Sequence, residues 1–290
     1  MQCMTRSEQD DTARAALLPQ ADASSLVDAD ELEAKVKEMY RAVAREEEAD
    51  LHFKVGRALA ERLGYPPDLL DAIPAEAVAS FAGVGYHLDL ANLAPGDTVL
   101  DLGSGSGTDV FCAAVRVGKS GDVVGVDFTT EQLTKATMLR NRDGFGQVEF
   151  IEASIEDLPF ADDTFDAVIS NGVINLSVVK SRVFAEAARV LRPGGRLAIA
   201  DIVSGKPLKE RTRRNVELWA ACIAGAIPRD NYTKTIEATG FAIGEIRQND
   251  YEFVSDRALE ACSTYEVQSV SIAARYSEGD RGGLVRDSAT

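Results

Sequence analysis

The stretch VLDLGSGSGTDVF, Val99 to Phe111, decides how the chain folds. A short apolar run holding Asp101 leads into Gly103, Gly105 and Gly107, and a helical pattern starts directly behind them. Glycine permits a tight turn and lets a ligand approach the backbone with no Cβ in the way. A helix N-terminus behind such a turn offers free N–H groups to an electronegative ligand group. DVVGVDF reads as the next strand, and Asp127 near its end stands where an acidic residue can accept both hydroxyls of a ribose. The dinucleotide fingerprint G-x-G-x-x-G fails, because Thr108 occupies its last position. The run is D-x-G-x-G-x-G instead, and a carboxylate at Asp101 suits an ammonium group better than a pyrophosphate.

Outward from this stretch the chain alternates strand and helix. TTEQLTKATMLRNR predicts a helix opened by a Thr/Glu capping arrangement. QVEFIEA and FDAVISN predict strands, and VKSRVFAEAARVL a helix ended by Pro193-Gly194-Gly195. RLAIADIV is a further strand, helices are expected around 209–224 and 230–239, and FAIGEIRQ and EVQSVSIAARY close the series. The order specifies an α/β fold: a doubly wound, mostly parallel seven-stranded sheet with helices on both faces. Ahead of it, Leu32, Val36, Met39, Tyr40 and Val43, then Val55, Leu59 and Leu63, recur at helical spacing. Gly64 stops that helix and Pro66-Pro67 prevent its resumption. The expected divisions are a mobile tail over 1–28, a helical lid with an acceptor-site turn over 29–93, the cofactor-binding domain over 94–277, and a frayed tail over 278–290.

Bulk properties exclude several functions. The chain has 290 residues, 45% hydrophobic and 27% charged, an ordinary soluble composition. A net charge of −16 argues against a nucleic-acid partner, since nothing offsets phosphate repulsion. Arg211, Arg213 and Arg214 make only a short basic patch, read as a solvated helix face. Cys3, Cys112, Cys222 and Cys262 show no C-x-x-C spacing, so no metal site is expected. The polar start and the lack of a long apolar run predict no signal peptide and no membrane span, hence a cytoplasmic protein. A homodimer is compatible with all of this.

The run D-x-G-x-G-x-G resembles the first motif of class I S-adenosylmethionine-dependent methyltransferases. ASIEDLPFADDTFDAVIS resembles the stretch that holds the adenine in those enzymes, and RVLRPGGRLAIAD their helix-turn-strand after the fourth strand. The resemblance implies S-adenosyl-L-methionine as cofactor, bound by Asp101, Gly103, Gly105, Gly107, Asp127, Phe128, Ile155, Glu156 and Ser170. LGYPPDLLDAIPAEAVASF, GVDFTTEQLTKA, SNGVINLS and ACIAGAI narrow it: over roughly residues 30–245 the chain is similar to arsenite methyltransferases and their UbiE-type relatives. Those enzymes hold trivalent arsenic through cysteine thiolates, soft ligands for a soft acceptor. By resemblance the three cysteine positions fall at Val84, Gly172 and Cys222, so only one thiol remains. Gly172 also removes volume where an acceptor would lie.

A looser resemblance, carried by Tyr40 and His87, is to bacterial indole C3-methyltransferases of natural-product pathways. It implies transfer to an indole such as a tryptophan-derived cyclic dipeptide, with His87 as base and Tyr40 and Asp89 in support. His52, the other histidine, reads as surface. Tyr86, Asn171, Gly172, Trp219 and Cys222 are the expected acceptor contacts, with Phe81, Phe128, Tyr232 or Trp219 stacking on an aromatic acceptor. Three other enzyme readings stand beside it: an arsenite S-methyltransferase, a methyltransferase for another aromatic or quinone-like molecule, and a nicotinamide oxidoreductase, which Thr108 disfavours. Outside the enzymes stands a nucleoside-binding module.

Overall fold

The computed structural model describes residues 22–44 and 54–277. Seven strands form one sheet in the order β3-β2-β1-β4-β5-β7-β6. They are β1 (Thr98–Leu102), β2 (Asp122–Asp127), β3 (Val148–Glu152), β4 (Phe165–Asn171), β5 (Leu191–Val203), β6 (Phe241–Gln248) and β7 (Gln268–Tyr276). The first five run parallel, and β7 pairs antiparallel with both β5 and β6. β1 and β4 are buried almost throughout, as a sheet covered on both faces requires. The longer helices are α1 (Ala29–Ala44), α2 (Thr108–Val117), α3 (Thr130–Asp143), α4 (Lys180–Val190), α5 (Arg229–Glu237) and α6 (Asp256–Tyr265). Strand order reverses between β1 and β4, and the crevice beyond their carboxyl ends is where open α/β sheets bind ligands.

Three apolar clusters hold the layers together. Val183, Phe184 and Ala187 of α4 with Tyr232 and Ile236 of α5 pack on one face of the sheet. Phe111, Cys112 and Ala114 of α2 pack on the other, together with Leu59, Tyr65 and Leu70. Leu32 and Val36 of α1 pack with Trp219, Cys222 and Ile223.

Several local expectations change. Residues 22–27, assigned to a tail, are docked: the Ala23 N–H donates to the Val178 carbonyl at 2.7 Å, and Ala23 and Val27 are buried. Residues 1–21 and 278–290 lie outside the described residues, as does the middle of the expected helix over 30–63 with His52. Pro67 does not stop helix formation. It sits at the start of a short helix, Pro67–Asp71, where its missing N–H has no partner to lose. The helix expected around 209–224 breaks into Glu210–Arg213 and Val216–Ala220, because the Asn215 side chain accepts the Leu218 N–H and caps the second piece. Thr129 makes no side-chain cap on α3; its hydroxyl bonds to Asp127 instead. α4 stops at Val190, and Pro193-Gly194-Gly195 fall inside β5, where the pairing with β4 shifts register.

Gly103 and Gly144 separate two costs of replacing a left-handed glycine. At Gly144 (φ +76°) an added Cβ meets nothing within 4 Å, whereas at Gly103 (φ +72°) it would lie 2.5 Å from Val173 Cγ2. Gly144→Ala should lose about 1–2 kcal/mol, the left-handed penalty alone. Gly103→Ala should lose about 1–3 kcal/mol more for overpacking, measured by chemical denaturation. Equal losses would remove the Val173 contact from the account.

Candidate active site

A cavity opens at the ends of β1 and β4, where open α/β sheets bind ligands. The glycine turn makes one wall. Gly103, Gly105 and Gly107 all have positive φ. Gly103 and Gly105 line the cavity, whereas Gly107 caps α2 and packs tightly beneath Phe150. Asp127 holds the turn in place: its carboxylate accepts the Gly105 N–H at 2.9 Å on one oxygen and the Thr129 N–H at 2.8 Å on the other. Burial raises the pKa of Asp127 while these bonds oppose the rise. Asp101 is raised well above the carboxylate range by burial, then by the charges of Asp109 and Asp127.

Three carboxylates, Asp101, Asp109 and Asp127, therefore share one cavity, and no Lys, Arg or His lines it among the described residues. Like charges so crowded favour a cationic ligand. S-adenosylmethionine carries both an ammonium and a sulfonium, so its charge matches the missing cation, and Phe128 supplies an apolar wall.

The far wall is apolar and comes from α1 and the segment after β4: Val36, Tyr40, Gly172, Val173 and Leu176, with Phe81 alongside. Just behind it Val84, Gly172 and Cys222 converge. A Cβ built on Gly172 would lie 3.3 Å from Val84 Cγ1, and the Cys222 thiol donates to the Gly172 carbonyl at 3.7 Å. The Tyr40 hydroxyl bonds to the Cys222 sulfur, and burial pushes that thiol up to about 12. It is a neutral thiol at physiological pH, not a thiolate.

Asn171 holds this region together. Its Oδ1 accepts the Val84 N–H at 2.7 Å, and its Nδ2 donates to the Gly85 carbonyl at 2.9 Å and to Asp109 at 3.0 Å. Asp109 also bonds the Tyr65 hydroxyl. Asn171 thus clamps the 83–85 turn to the end of β4 and reaches a cavity carboxylate.

Several expected site residues lie elsewhere. His87 is fully buried and absent from the cavity wall, and neither ring nitrogen has a hydrogen-bond partner of normal geometry among the described residues. Burial holds its pKa below the usual 6.5. Asp89, expected beside it, forms a two-pronged ion pair with Arg247 at 2.7 and 2.9 Å, half-exposed. Tyr86 bonds Arg116 and packs on Tyr65 in the core. Trp219 is buried under the Lys180 ammonium, 5.0 Å from its ring centroid, and Tyr232 donates to Asp201 at 2.5 Å; neither can stack on a ligand. Ile155 belongs to the core, Glu156 accepts the Ser177 hydroxyl at 2.5 Å, and Ser170 donates to the Leu102 carbonyl at 2.9 Å, so these three brace the sheet edge of the site rather than line the cavity. Conversely, Asp109 and Gln132 line it and were not anticipated. Asp109 follows the glycine turn, a position the motif could have flagged. Gln132 is one polar residue on a polar helix and carries no local signal.

The glycine turn, the buried carboxylates and the antiparallel seventh strand define a class I S-adenosylmethionine-dependent methyltransferase. The methyltransferase-domain family matches residues 93–240, and the chain belongs to it, in the branch that includes arsenite and UbiE-type methyltransferases. An arsenite methyltransferase from Halobacterium salinarum is 42% identical over 198 residues, 68% of this chain and 50% of that protein. The ubiquinone/menaquinone C-methyltransferase UbiE of Escherichia fergusonii is 33% identical over 180 residues, 59% of this chain and 66% of that one. The structure of an arsenic(III) methyltransferase from Chlamydomonas reinhardtii superposes with a TM-score of 0.59 at 31% identity, covering 81% of this chain and 77% of that chain. The chain spans about half the length of the curated arsenite methyltransferases it matches.

Asp127→Ala should weaken S-adenosylhomocysteine binding by about ten- to a hundredfold in calorimetry, the scale of a lost charge-assisted hydrogen bond. His87 gives a pH test. The folded state resists protonating it, whereas the unfolded chain takes the proton near pH 6.5. Its contribution is therefore lost as pH falls through that value and is constant above it. His87→Leu should flatten this part of the acid dependence in thermal melts and leave cofactor affinity unchanged.

Proposed function

We propose that the chain transfers the methyl group of S-adenosylmethionine to a small organic acceptor seated against the apolar wall of α1 and Gly172–Leu176. One observation carries this reading: the three converging positions that resemblance assigns to the metalloid cysteines hold Val84, Gly172 and Cys222, so one thiol stands where three are needed to grip arsenic. When bound, the cofactor supplies an electrophilic methyl on a positively charged sulfur. Asp101 and Asp109 face the cationic end and Asp127 the ribose, while Val36, Tyr40 and Leu176 exclude water and hold the acceptor in line. In this reading residues 29–93 act as lid and acceptor-site turn, and residues 94–277 as the catalytic sheet.

The acceptor's chemistry follows from what its wall lacks. Among the described residues the apolar wall presents Tyr40 as its only titratable group, and burial raises that phenol well above its ordinary value. The reacting atom must attack without prior deprotonation. Electron-rich carbon does so: its electron pair forms the new C–C bond as the S–CH3 bond breaks, and the proton then passes to solvent. Indole C3 and the ring carbon of a phenol or quinol meet this requirement. The indole reading stands without His87 as its base.

An arsenite substrate is the second reading, favoured by Cys222 at its position and by the identity to arsenite methyltransferases. Incubation with S-adenosylmethionine and arsenite, a tryptophan cyclic dipeptide, indole or a quinol, read by mass, separates the two. A methylated organic product is expected; turnover of arsenite alone would overturn the proposal. The same wall offers a gain-of-function check. Val84→Cys with Gly172→Cys should create arsenite binding absent from the natural chain, measured by calorimetry. The strained φ of +77° at position 172 should cost about 1–2 kcal/mol of stability.

A further inference from the structure

Helix α3 starts just beyond Asp127, and its inner face carries three residues that meet the end of α1 in matched pairs. Glu131 accepts from Arg41 Nε at 2.6 Å, Gln132 Nε2 donates to the Tyr40 carbonyl at 2.9 Å, and Lys135 Nζ donates to the Ala44 carbonyl at 3.2 Å. The spacing is that of one helix face. The three contacts differ in kind. Arg41–Glu131 is a partly exposed ion pair, the sort that contributes little. Lys135 places a cation at the Ala44 carbonyl and also donates to the Ser80 hydroxyl at 2.8 Å.

Gln132 is the buried member, 2% exposed, and it alone reaches the cofactor side. Its Oε1 accepts the Ser106 hydroxyl from the glycine turn. The Tyr40 carbonyl can only accept, so the amide's orientation is forced: oxygen toward Ser106, nitrogen toward Tyr40. One side chain therefore spans the cofactor turn and the helix that carries the acceptor wall. Tyr40, Gln132 and Ser106 all line the cavity.

We propose that Gln132 is a positioning residue that registers α1 on the glycine turn, so that cofactor binding tightens the acceptor-facing wall through Ser106, Gln132 and the Tyr40 carbonyl. A cofactor that orders Ser106 orders the amide, and the ordered amide holds Tyr40 and its hydroxyl against Cys222. The coupling requires S-adenosylmethionine or its product in the cavity and is independent of which acceptor is used. Its failure is thus distinct from failure of the organic-acceptor reading.

Two substitutions separate the halves of the bridge. In Gln132→Glu the carboxylate still accepts from Ser106 but cannot donate to the Tyr40 carbonyl. In Gln132→Met both bonds are lost. The measurement is hydrogen–deuterium exchange of residues 32–44 with and without S-adenosylhomocysteine, alongside its affinity by calorimetry. In the natural chain the ligand should slow exchange in α1 by about three- to tenfold, the scale of one buried hydrogen bond. Gln132→Glu should keep the affinity within about threefold and lose that added protection. Gln132→Met should lose both. Glu131→Ala, which removes only the outer ion pair, should keep the protection. If Gln132→Glu fails to fold, Ser106→Ala cuts the bridge from the other end and must lose the protection as well. Full protection in either bridge variant overturns the proposal. So does the absence of ligand-induced protection in the natural chain. A collapse of affinity in Gln132→Glu overturns it too, by making Gln132 a direct cofactor ligand.

Discussion

The site depends on the Asp127 carboxylate between two backbone N–H groups. One oxygen fastens the glycine turn at Gly105, the other the entry to α3 at Thr129. Three glycines with positive φ do not hold a conformation by themselves, because their conformational freedom must be removed on folding. A buried acceptor for the central N–H removes it. The same carboxylate therefore shapes the turn and lines the cavity, and the two cannot be separated by substitution.

That arrangement leaves a local excess of negative charge. Asp101, Asp109 and Asp127 face one cavity, and Asp101 resists ionisation first because it is buried and then because of the other two charges. A cationic ligand relieves the repulsion, so ligand binding and folding stability are linked at this point. Tyr65 and Asn171 share the load at Asp109 by donating hydrogen bonds to its two oxygens. Asn171 then extends the network to Val84 and Gly85, joining cofactor end and acceptor end through one side chain.

On the far side of Asn171, three positions remote in sequence come together. The backbone brings positions 84, 172 and 222 together, yet Val84 fills the space that a side chain at 172 would need. Burial then keeps the remaining thiol neutral. The backbone there is held by Asn171 and by the sheet rather than by the side chains at 84, 172 and 222.

The sequence by itself determined the sheet, the glycine turn, Asp127 and the loss of two thiols. Each is encoded locally: strand and helix periodicities, glycines at a strand end, single residue identities. It also pointed to Tyr40 and Gly172, which line the cavity. Only the tertiary structure decided which way the neighbouring side chains face. Tyr86 and His87 sit one and two residues past the Asn171 clamp, and their direction follows from non-local bonds between Asn171, Val84 and Gly85 that no periodicity records. The result buries the imidazole. Ile155 and Glu156 turn inward or onto Ser177 for the same kind of reason, and Gln132 gains its bridging place only because α1, remote in the chain, packs across α3. Local backbone preferences are short-ranged and legible in order along the chain. Side-chain orientation at a cavity is settled by contacts between segments far apart in sequence, and those exist only once the chain has folded.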